Sequence, residues 1–239
     1  IPDKLPDRLR ILRLDNNQIT SILSNLPNNL EELYLDNNQI TSIPYSNNLL
    51  ELYLDNNEIT SIPDDLPINL RILCLKFNKI TSIPDKLPIN LRILELDGNQ
   101  IASIPSHEAP EGPESPGLPN KIEKLSLHQN LFTSIPNNLP NSLKELSISC
   151  NQITSIPDDL PNRLEILNLS DNKITSFPIK LPDSLEELYL NSNQITSISY
   201  SNSLRELYLN NNQIISIPNR LPINLKILSL IDNPIKEIE

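Results

Sequence analysis

Hydrophobic positions recur along this chain at intervals of about 21 residues. Every segment aligns on the pattern L-x-x-L-x-L-x-x-N-x-I, which occurs eleven times in the 239 residues. In the copy that begins at Leu30, residues alternate between two faces with the period of a β-strand. Leu33 and Leu35 are predicted to point inward, and Glu32 and Tyr34 to point outward. Each copy therefore predicts one short strand with a buried and an exposed face.

One asparagine closes each strand segment, at the point where the chain must turn. A buried asparagine both donates to and accepts from backbone groups, and so satisfies polar atoms that a turn leaves unpaired. A single coil cannot bury its own leucines, so neighbouring coils must stack on it. We therefore predict a structural asparagine ladder made of Asn17, Asn38, Asn57, Asn78, Asn99, Asn130, Asn151, Asn172, Asn193, Asn212 and Asn233.

The period also fixes the kind of coil. Spacings between these asparagines are 21 or 19 residues, except for one of 31. A period near 21 with this motif is the signature of leucine-rich repeats. Prolines follow the second Ile of most repeats and favour extended backbone rather than a helix. The prediction is a β-rich solenoid of eleven repeats, with a parallel sheet on the concave face, an extended or polyproline-like convex side and almost no helix.

The residues of the repeat resemble those of known protein families. Its ending, S-I-P-x-x-L-P-x-x-L, resembles the repeat region of bacterial effectors of the YopM and IpaH type. The Asn- and Ile-rich composition of the repeats is similar to that of leucine-rich repeat proteins of giant amoebal viruses of the mimivirus type. IpaH-type effectors add a ubiquitin-ligase domain with a catalytic cysteine after the repeats. This chain stops at Glu239, so the resemblance does not bring that activity with it.

Two repeats are short and one is long. The coils IPYSNNL and ISYSNSL are 19 residues long, and each replaces the Leu-Pro pair with a tyrosine, Tyr45 or Tyr200. Those rings are expected to fill the space of the missing leucine. The short coils lie 155 residues apart, as do the leucines around them, so repeats 1–4 and 8–11 look like duplicated blocks. We predict one solenoid over residues 1–239, with a flexible insertion at 106–117 between repeats 5 and 6.

The net charge limits the classes of partner that this chain can bind, and the cysteine content indicates its cellular compartment. The formal net charge is −11, which disfavours binding to nucleic acid or to an anionic membrane surface. No apolar run is long enough for membrane insertion. The two cysteines, Cys74 and Cys150, are too few for a disulfide framework. These features predict an intracellular protein, in the host cytoplasm if it derives from a virus or an effector.

Motifs for chemistry are absent from the sequence. It has no HExxH, no Cys-His-Asp set and no glycine-rich phosphate loop, so we predict no enzyme, no cofactor and no metal. Asp15, Asp36 and Asp55 align in adjacent repeats, and aligned carboxylates are Ca²⁺ ligands elsewhere. Here they follow an open sheet without the glycine-containing repeats of calcium-binding β-helices.

The outward strand positions remain as a binding surface. Tyrosine gives large contact area with few rotamers to lose, and an apolar strip bordered by carboxylates suits a basic protein partner. We predict a protein–protein interaction module; the alternatives are a structural or self-associating solenoid with uncapped ends, and the repeat part of a larger effector enzyme. The expected contact residues are Glu32, Tyr34, Asp36, Glu51, Tyr53, Asp55, Ile72, Phe77, Ile93, Glu187, Tyr189, Glu206 and Tyr208.

Overall fold

The computed structural model describes residues 5–22, 26–105, 117–178, 180–198 and 203–238. Residues 106–116 of the insertion, Tyr200 and both chain termini lie outside these ranges. The chain divides into two compact units, an N-terminal unit of Ile1–Leu125 and a C-terminal unit of Ser126–Glu239. The described residues contain strands and turns and no helix. The predicted leucine-rich repeat fold is confirmed.

Each repeat contributes one strand of three residues. The strands of the N-terminal unit pair in parallel and in chain order, and β6 lies at the boundary between the units. They are β1 (Ile11–Arg13), β2 (Glu32–Tyr34), β3 (Glu51–Tyr53), β4 (Ile72–Cys74), β5 (Ile93–Glu95) and β6 (Lys124–Ser126).

The C-terminal unit repeats this arrangement and adds a second, small sheet. Its main strands also pair in parallel, in the order β7-β8-β9-β10-β12. Two-residue strands β11 and β13 pair in parallel with each other. The strands are β7 (Glu145–Ser147), β8 (Ile166–Asn168), β9 (Glu187–Tyr189), β10 (Glu206–Tyr208), β11 (Ser216–Ile217), β12 (Ile227–Ser229) and β13 (Glu237–Ile238).

Leucine and isoleucine from every coil form the core of each unit. In the second repeat, Leu30, Leu33, Leu35 and Ile40 are completely buried. Full burial of such a side chain contributes about 1.5–3 kcal/mol. Because each strand places its central leucine beside that of the next strand, as with Leu33 opposite Leu52, the core continues from coil to coil.

A proline turn precedes most strands. The N–H of Leu30 donates to the carbonyl oxygen of Pro27 at 3.0 Å, and Leu70 bonds in the same way to Pro67. This i to i+3 bond is that of a β-turn. The Leu-Pro-x-x-Leu motif therefore forms the β-turn that leads the chain back into the sheet.

The role expected for Tyr45 is wrong. Its side chain is 52% exposed, and its hydroxyl donates to Asn47. Pro44, Ser46 and Leu49 are the buried residues of the segment IPYSNNL, and Ser46 supplies the turn carbonyl that Pro27 supplies in the preceding repeat. The shorter corner thus buries a proline, a serine and a leucine, and the Tyr45 ring lies largely outside the core. Tyr200, of which the same was expected, lies outside the described residues.

Nine of the asparagines of the ladder are buried. Side-chain bonds to the preceding coil are made by, among others, Asn38, Asn57, Asn78, Asn99, Asn151, Asn172, Asn193 and Asn212. The Oδ1 of Asn57 accepts the Ile40 N–H at 2.9 Å, and its Nδ2 donates to the Leu35 carbonyl oxygen at 3.0 Å. Asn17 is exposed, and Asn233 is half-buried. The asparagine thus joins its own coil to the one before it, wherever a coil precedes it in the stack.

The residue before each ladder asparagine adopts a left-handed conformation. Glycine accepts positive φ without strain, Asn and Asp tolerate it, and larger side chains are disfavoured there. Phe77, with φ of 53°, is the bulkiest of the residues in this column that are not Gly, Asn or Asp. The column consists of Asn16, Asn37, Asn56, Phe77, Gly98, Gln129, Cys150, Asp171, Ser192, Asn211 and Asp232.

Candidate functional site

Two pairs of stacked tyrosines stand on the outward face of the strands. Tyr34 and Tyr53 form the first tyrosine pair, with ring centroids 4.5 Å apart and planes 5° from parallel. Tyr189 and Tyr208 form the second tyrosine pair, at 4.7 Å and 2°. In both pairs the parallel register places the two rings at facing positions on adjacent strands. Each unit therefore carries one flat, half-buried aromatic platform.

The hydroxyl of each of the four stacked tyrosines donates to a glutamate on the same strand. Tyr34 donates to Glu32 at 3.0 Å and Tyr53 to Glu51 at 2.9 Å. In the second pair, the bonds to Glu187 and Glu206 are 2.8 and 2.9 Å long. Residues two apart on a strand share a face, which is why this Glu-x-Tyr spacing allows the bond.

These bonds and burial keep the phenols protonated. Burial, followed by the hydrogen bond to the neighbouring glutamate, raises the pKa of Tyr34, Tyr53 and Tyr189. The hydrogen bond to Glu206 is the main cause of the raised pKa of Tyr208. The rings are therefore neutral hydrogen-bond donors with fixed orientation at physiological pH.

The surroundings of the two pairs differ in charge. The guanidinium of Arg13 lies over the Tyr34 ring, 4.3 Å from its centroid, a cation–π arrangement. Asn168 occupies the corresponding position 155 residues later. Asp36 and Asp55 follow the first pair, whereas Asn191 and Asn210 follow the second. The first platform is therefore the more strongly charged of the two.

The aligned aspartates serve as backbone acceptors. Asp15 accepts the Asp36 N–H at 3.0 Å, and Asp36 accepts the Asp55 N–H at 2.7 Å. Asp55 in turn accepts the Lys76 N–H at 2.7 Å. Asn191 does the same work in the C-terminal unit, where it accepts the Asn210 N–H at 3.0 Å. The column thus caps backbone donors from coil to coil, and it does so with or without a negative charge.

Stacking these carboxylates has an electrostatic cost. Burial, together with the nearby charges of Asp55 and Asp15, raises the pKa of Asp36 from 3.8 to about 6. Burial also raises the pKa of Asp55, in spite of the opposing effect of Lys76. Between pH 4 and 6 the folded chain therefore holds the Asp36 proton more tightly than the unfolded chain does, so Asp36 ionisation lowers stability as the pH rises through that window.

The substitution Asp36→Asn should raise the melting temperature at pH 7 and leave it unchanged near pH 4. We expect a gain of roughly 2–4 °C, the shift that about 1 kcal/mol gives a chain of this size, because solvent screens this half-buried carboxylate. Asparagine keeps the acceptor that Asp55 needs, as Asn191 illustrates. Thermal melts monitored by circular dichroism at both pH values check this.

A reciprocal variant in the C-terminal unit controls the Asp36 experiment. Asn191→Asp should lower the melting temperature at pH 7 but not at pH 4. A stabilisation by Asp36→Asn that is equally large at both pH values would show that the ionised carboxylate is not its cause.

The centre of the N-terminal sheet face combines apolar and ion-paired side chains. Ile72 and Ile93 are half-buried neighbours on β4 and β5. The thiol of Cys74, which the sequence places on the outward face, is buried, and burial raises its pKa. Around it, the Lys76 Nζ lies 2.6 Å from Glu95 and 3.4 Å from Asp55.

Glu95 joins two lysines on this face. Its second oxygen lies 3.0 Å from the Lys124 Nζ. Burial opposes ionisation of Glu95, but hydrogen bonds from Lys76 and Lys124 outweigh it and lower the pKa of this carboxyl. The sequence prediction missed this network. The signal available was a lysine in each adjacent repeat, two residues from the position equivalent to Glu95 and therefore on the same face of the sheet.

Phe77 lies at the end of β4 in a left-handed conformation, and its side chain is 47% exposed. Its ring covers Gly98, the residue at the same position of the next repeat. A Cβ added to Gly98 would lie 2.4 Å from the Phe77 Cδ1 atom. The pairing of the single Phe in this column with its single Gly explains how the fold accommodates the ring.

A double-mutant cycle should detect this pairing. Gly98→Ala introduces a methyl group at φ of 64°, which costs about 1–2 kcal/mol, and also displaces the Phe77 ring. In a Phe77→Asn background there is no ring to displace, so Gly98→Ala should lower the free energy of unfolding by less. We expect a coupling energy of at least about 0.5 kcal/mol in urea denaturation. Equal costs in both backgrounds would contradict the contact.

Reactive groups are few among the residues described. No set of three or more His, Cys, Asp or Glu side chains within those ranges is arranged to hold a metal ion. Cys74 and Cys150 are free thiols, and burial with Asp171 nearby raises the pKa of Cys150. The Nδ1 of His128 lies 2.8 Å from the Ser149 hydroxyl. No described segment forms a helix with the length and hydropathy needed to cross a bilayer.

Three leucine-rich repeat profiles match this sequence. "Leucine Rich repeats (2 copies)" matches residues 7–47 and 28–68, "Leucine rich repeat" matches 141–195, and "Leucine Rich Repeat" matches 203–222. Together these matches cover more than half of the chain. The chain is a leucine-rich repeat protein. A comparison of this leucine-rich repeat protein with curated proteins gives no match.

Solved structures with the same fold include YopM from Yersinia enterocolitica WA-314. It is 30% identical with a TM-score of 0.84, and the match covers 99% of the present chain and 49% of YopM. This leucine-rich repeat protein thus spans about half the length of that relative. YopM of Yersinia pestis, described as a leucine-rich effector protein, is 29% identical with a TM-score of 0.66, over 98% of this chain and 75% of its own.

A complex of Latrophilin 3, Unc5D and FLRT2 supplies a further neighbour of the fold. The match is 23% identical with a TM-score of 0.71, over 96% of this chain and 86% of the matched one. The resemblance to the YopM repeat region predicted from S-I-P-x-x-L-P-x-x-L is confirmed. The resemblances to IpaH-type effectors and to proteins of giant amoebal viruses stay predictions.

Proposed function

We propose that this leucine-rich repeat protein binds a protein partner on the outward face of its strands. The observation that carries the proposal is the pair of tyrosine platforms, each fixed by stacking and by two Tyr–Glu hydrogen bonds. A preorganised aromatic surface loses little conformational entropy when it binds, which is why tyrosine is enriched at interaction hot spots.

Charge indicates the chemistry of the partner. Glu32, Glu51, Asp36 and Asp55 surround the first tyrosine pair, and Glu187 and Glu206 flank the second. Half-buried Ile72 and Ile93 and the exposed Phe77 ring add apolar area in the N-terminal unit. A partner segment with arginine or lysine next to apolar side chains fits both features. The first platform should bind the more basic segment, because Asn191 and Asn210 replace its two aspartates in the second.

The relatives support an interaction role without defining the partner. YopM of Yersinia pestis is described as an effector protein, and this chain is similar to its repeats. Non-enzymatic action in a host cytoplasm is therefore part of the proposal. Self-association of the solenoid stays the alternative prediction.

Selection from a displayed peptide library tests the proposal. Peptides that bind the whole chain should be rich in basic and apolar residues. The triple substitution Tyr34→Ala, Tyr53→Ala and Tyr189→Ala should weaken their binding by at least about tenfold, since hot-spot aromatics contribute 2 kcal/mol or more. Fluorescence anisotropy measures the affinities, and thermal melts identify any variant that has lost its fold.

Ser147→Ala, on the outward face of β7 and away from both pairs, is the matched control and should bind like the wild type. Selected peptides that bind the folded triple variant as tightly as the wild type would show that the tyrosine platforms are not the interface. Light scattering across a concentration series examines self-association separately.

A further inference from the structure

A basic cleft opens in the N-terminal unit at the opposite end of the strands from the tyrosines. It has a volume of about 290 Å³ and is lined by Leu50, Asn69, Arg71, Asn90, Arg92 and Lys121. Arg71 and Arg92 immediately precede β4 and β5, whereas the tyrosines end their strands. This basic cleft is therefore separate from the aromatic platforms.

Three cations and no carboxylate line this cleft, in a chain whose net charge is −11. The Lys121 Nζ donates to the Asn90 Oδ1 at 2.8 Å, which fixes the ammonium at the wall. The Arg92 Nη1 lies 3.3 Å from Glu123, just outside the lining. Ordered cations at adjacent coils attract an anionic group, and arginine forks match the geometry of carboxylates.

The C-terminal unit contains a counterpart in which the charges cancel. That cleft has a volume of about 500 Å³, and its lining includes Asn224 and Lys226, which follow Asn69 and Arg71 by 155 residues. Asp183 and Glu186 line it too, and Glu186 pairs with Arg205 at 2.8 Å. The same place in the repeat therefore carries an excess of positive charge in the N-terminal unit only.

Exposed isoleucines border the basic cleft. Ile68 and Ile89, which directly precede the lining residues Asn69 and Asn90, are 67% and 58% exposed. A small anion such as phosphate would bind the cations and leave these side chains in water. A peptide with acidic and apolar residues would satisfy both, since apolar burial adds to the charge pairing.

We propose that the basic cleft binds an acidic segment of a protein partner. Its carboxylates contact Arg71, Arg92 and Lys121, and its apolar side chains cover Ile68 and Ile89. This surface selects the opposite charge from the tyrosine platforms, so the chain holds two chemically distinct interfaces. The inference does not depend on the function proposed for the tyrosines.

Fluorescence anisotropy with a short labelled peptide of Glu, Asp and Leu tests this on the whole chain. The peptide should bind, whereas any binding of a matched peptide with Lys in place of its acidic residues should not depend on Arg71 and Arg92. The double variant Arg71→Ala/Arg92→Ala should weaken binding at least about tenfold. Arg205→Ala/Lys226→Ala, in the neutral counterpart, should change the affinity less than about twofold.

Two further measurements separate a peptide site from other sources of binding. Ile68→Asn/Ile89→Asn should weaken the peptide several-fold and leave binding of inorganic pyrophosphate unchanged. Equal losses from the two arginine-containing double variants would overturn the proposal, because general charge attraction would then explain binding. So would a peptide affinity that is insensitive to the isoleucines, which would identify a small-anion site. All the substituted side chains are exposed, and circular dichroism verifies their folding.

Discussion

Replacing Asn57 with alanine should lower the free energy of unfolding by roughly 2–4 kcal/mol. The substitution removes the acceptor of the Ile40 N–H and the donor to the carbonyl oxygens of Leu35 and Leu54, all inside the core. An unsatisfied buried polar group costs about 1–3 kcal/mol, and here at least two lose their partner. Urea denaturation followed by circular dichroism measures the loss.

Asn17 provides the comparison for Asn57. It is exposed, and its bonds to the described residues are those it donates to the carbonyl oxygens of Leu14 and Asp15 in its own coil. Water replaces those bonds, so Asn17→Ala should cost less than about 0.5 kcal/mol. Similar losses for Asn17→Ala and Asn57→Ala would contradict a ladder whose strength comes from burial and from bonds between coils.

Leu73→Ala should lower the free energy of unfolding by about 2–5 kcal/mol. Leu73 is completely buried at the centre of β4, with Leu52 and Leu94 at the facing positions of the neighbouring strands. Truncation leaves a cavity that rigid coils on both sides cannot fill, so the loss of transfer energy and the cavity term add. Urea denaturation of the purified variant measures this change.

The neighbouring residue on the same strand controls for the chemistry of the truncation. Ile72 points outward and is half-buried, so Ile72→Ala should cost clearly less than Leu73→Ala. A larger loss at Ile72 than at Leu73 would mean that the two faces of the strand are assigned the wrong way round.

The repeat unit was predictable because its physics is local. Alternation within Leu30–Leu35 fixes which side chains enter the core, and the motif recurs often enough to set the boundaries of each strand. Glu32 and Tyr34 share a face for the same reason, so the sequence already placed both tyrosine pairs on adjacent strands. The stacked rings and the hydroxyl bonds to the glutamates require side-chain rotamers, which no spacing specifies.

Other features depend on contacts between coils that the sequence does not encode in one place. Asp36 was expected among the partner-binding residues, but its position is also set by the backbone N–H of Asp55 in the next coil. The basic cleft joins residues as far apart in sequence as Leu50 and Lys121, and it forms only when coils stack. Tyr45 was misjudged because the length of a corner depends on the whole turn and not on the volume of one side chain.

Left-handed residues ahead of the ladder asparagines were also overlooked. The column reads mostly Asn, Asp, Ser and Gly, which is the composition that positive φ favours, and this signal is visible in the sequence. Phe77 is the bulkiest exception to this composition. Its exception becomes understandable only when the ring is seen over Gly98.

The central claim is that stacked coils share one interior in each unit and bury the asparagine that joins them. Hydrogen exchange of the asparagine side-chain amides, followed by NMR, tests it most directly. The account predicts slow exchange for the nine buried carboxamides, with Asn57 and Asn151 among them, and fast exchange for Asn17. Exchange as fast for Asn57 and Asn151 as for Asn17 would contradict it.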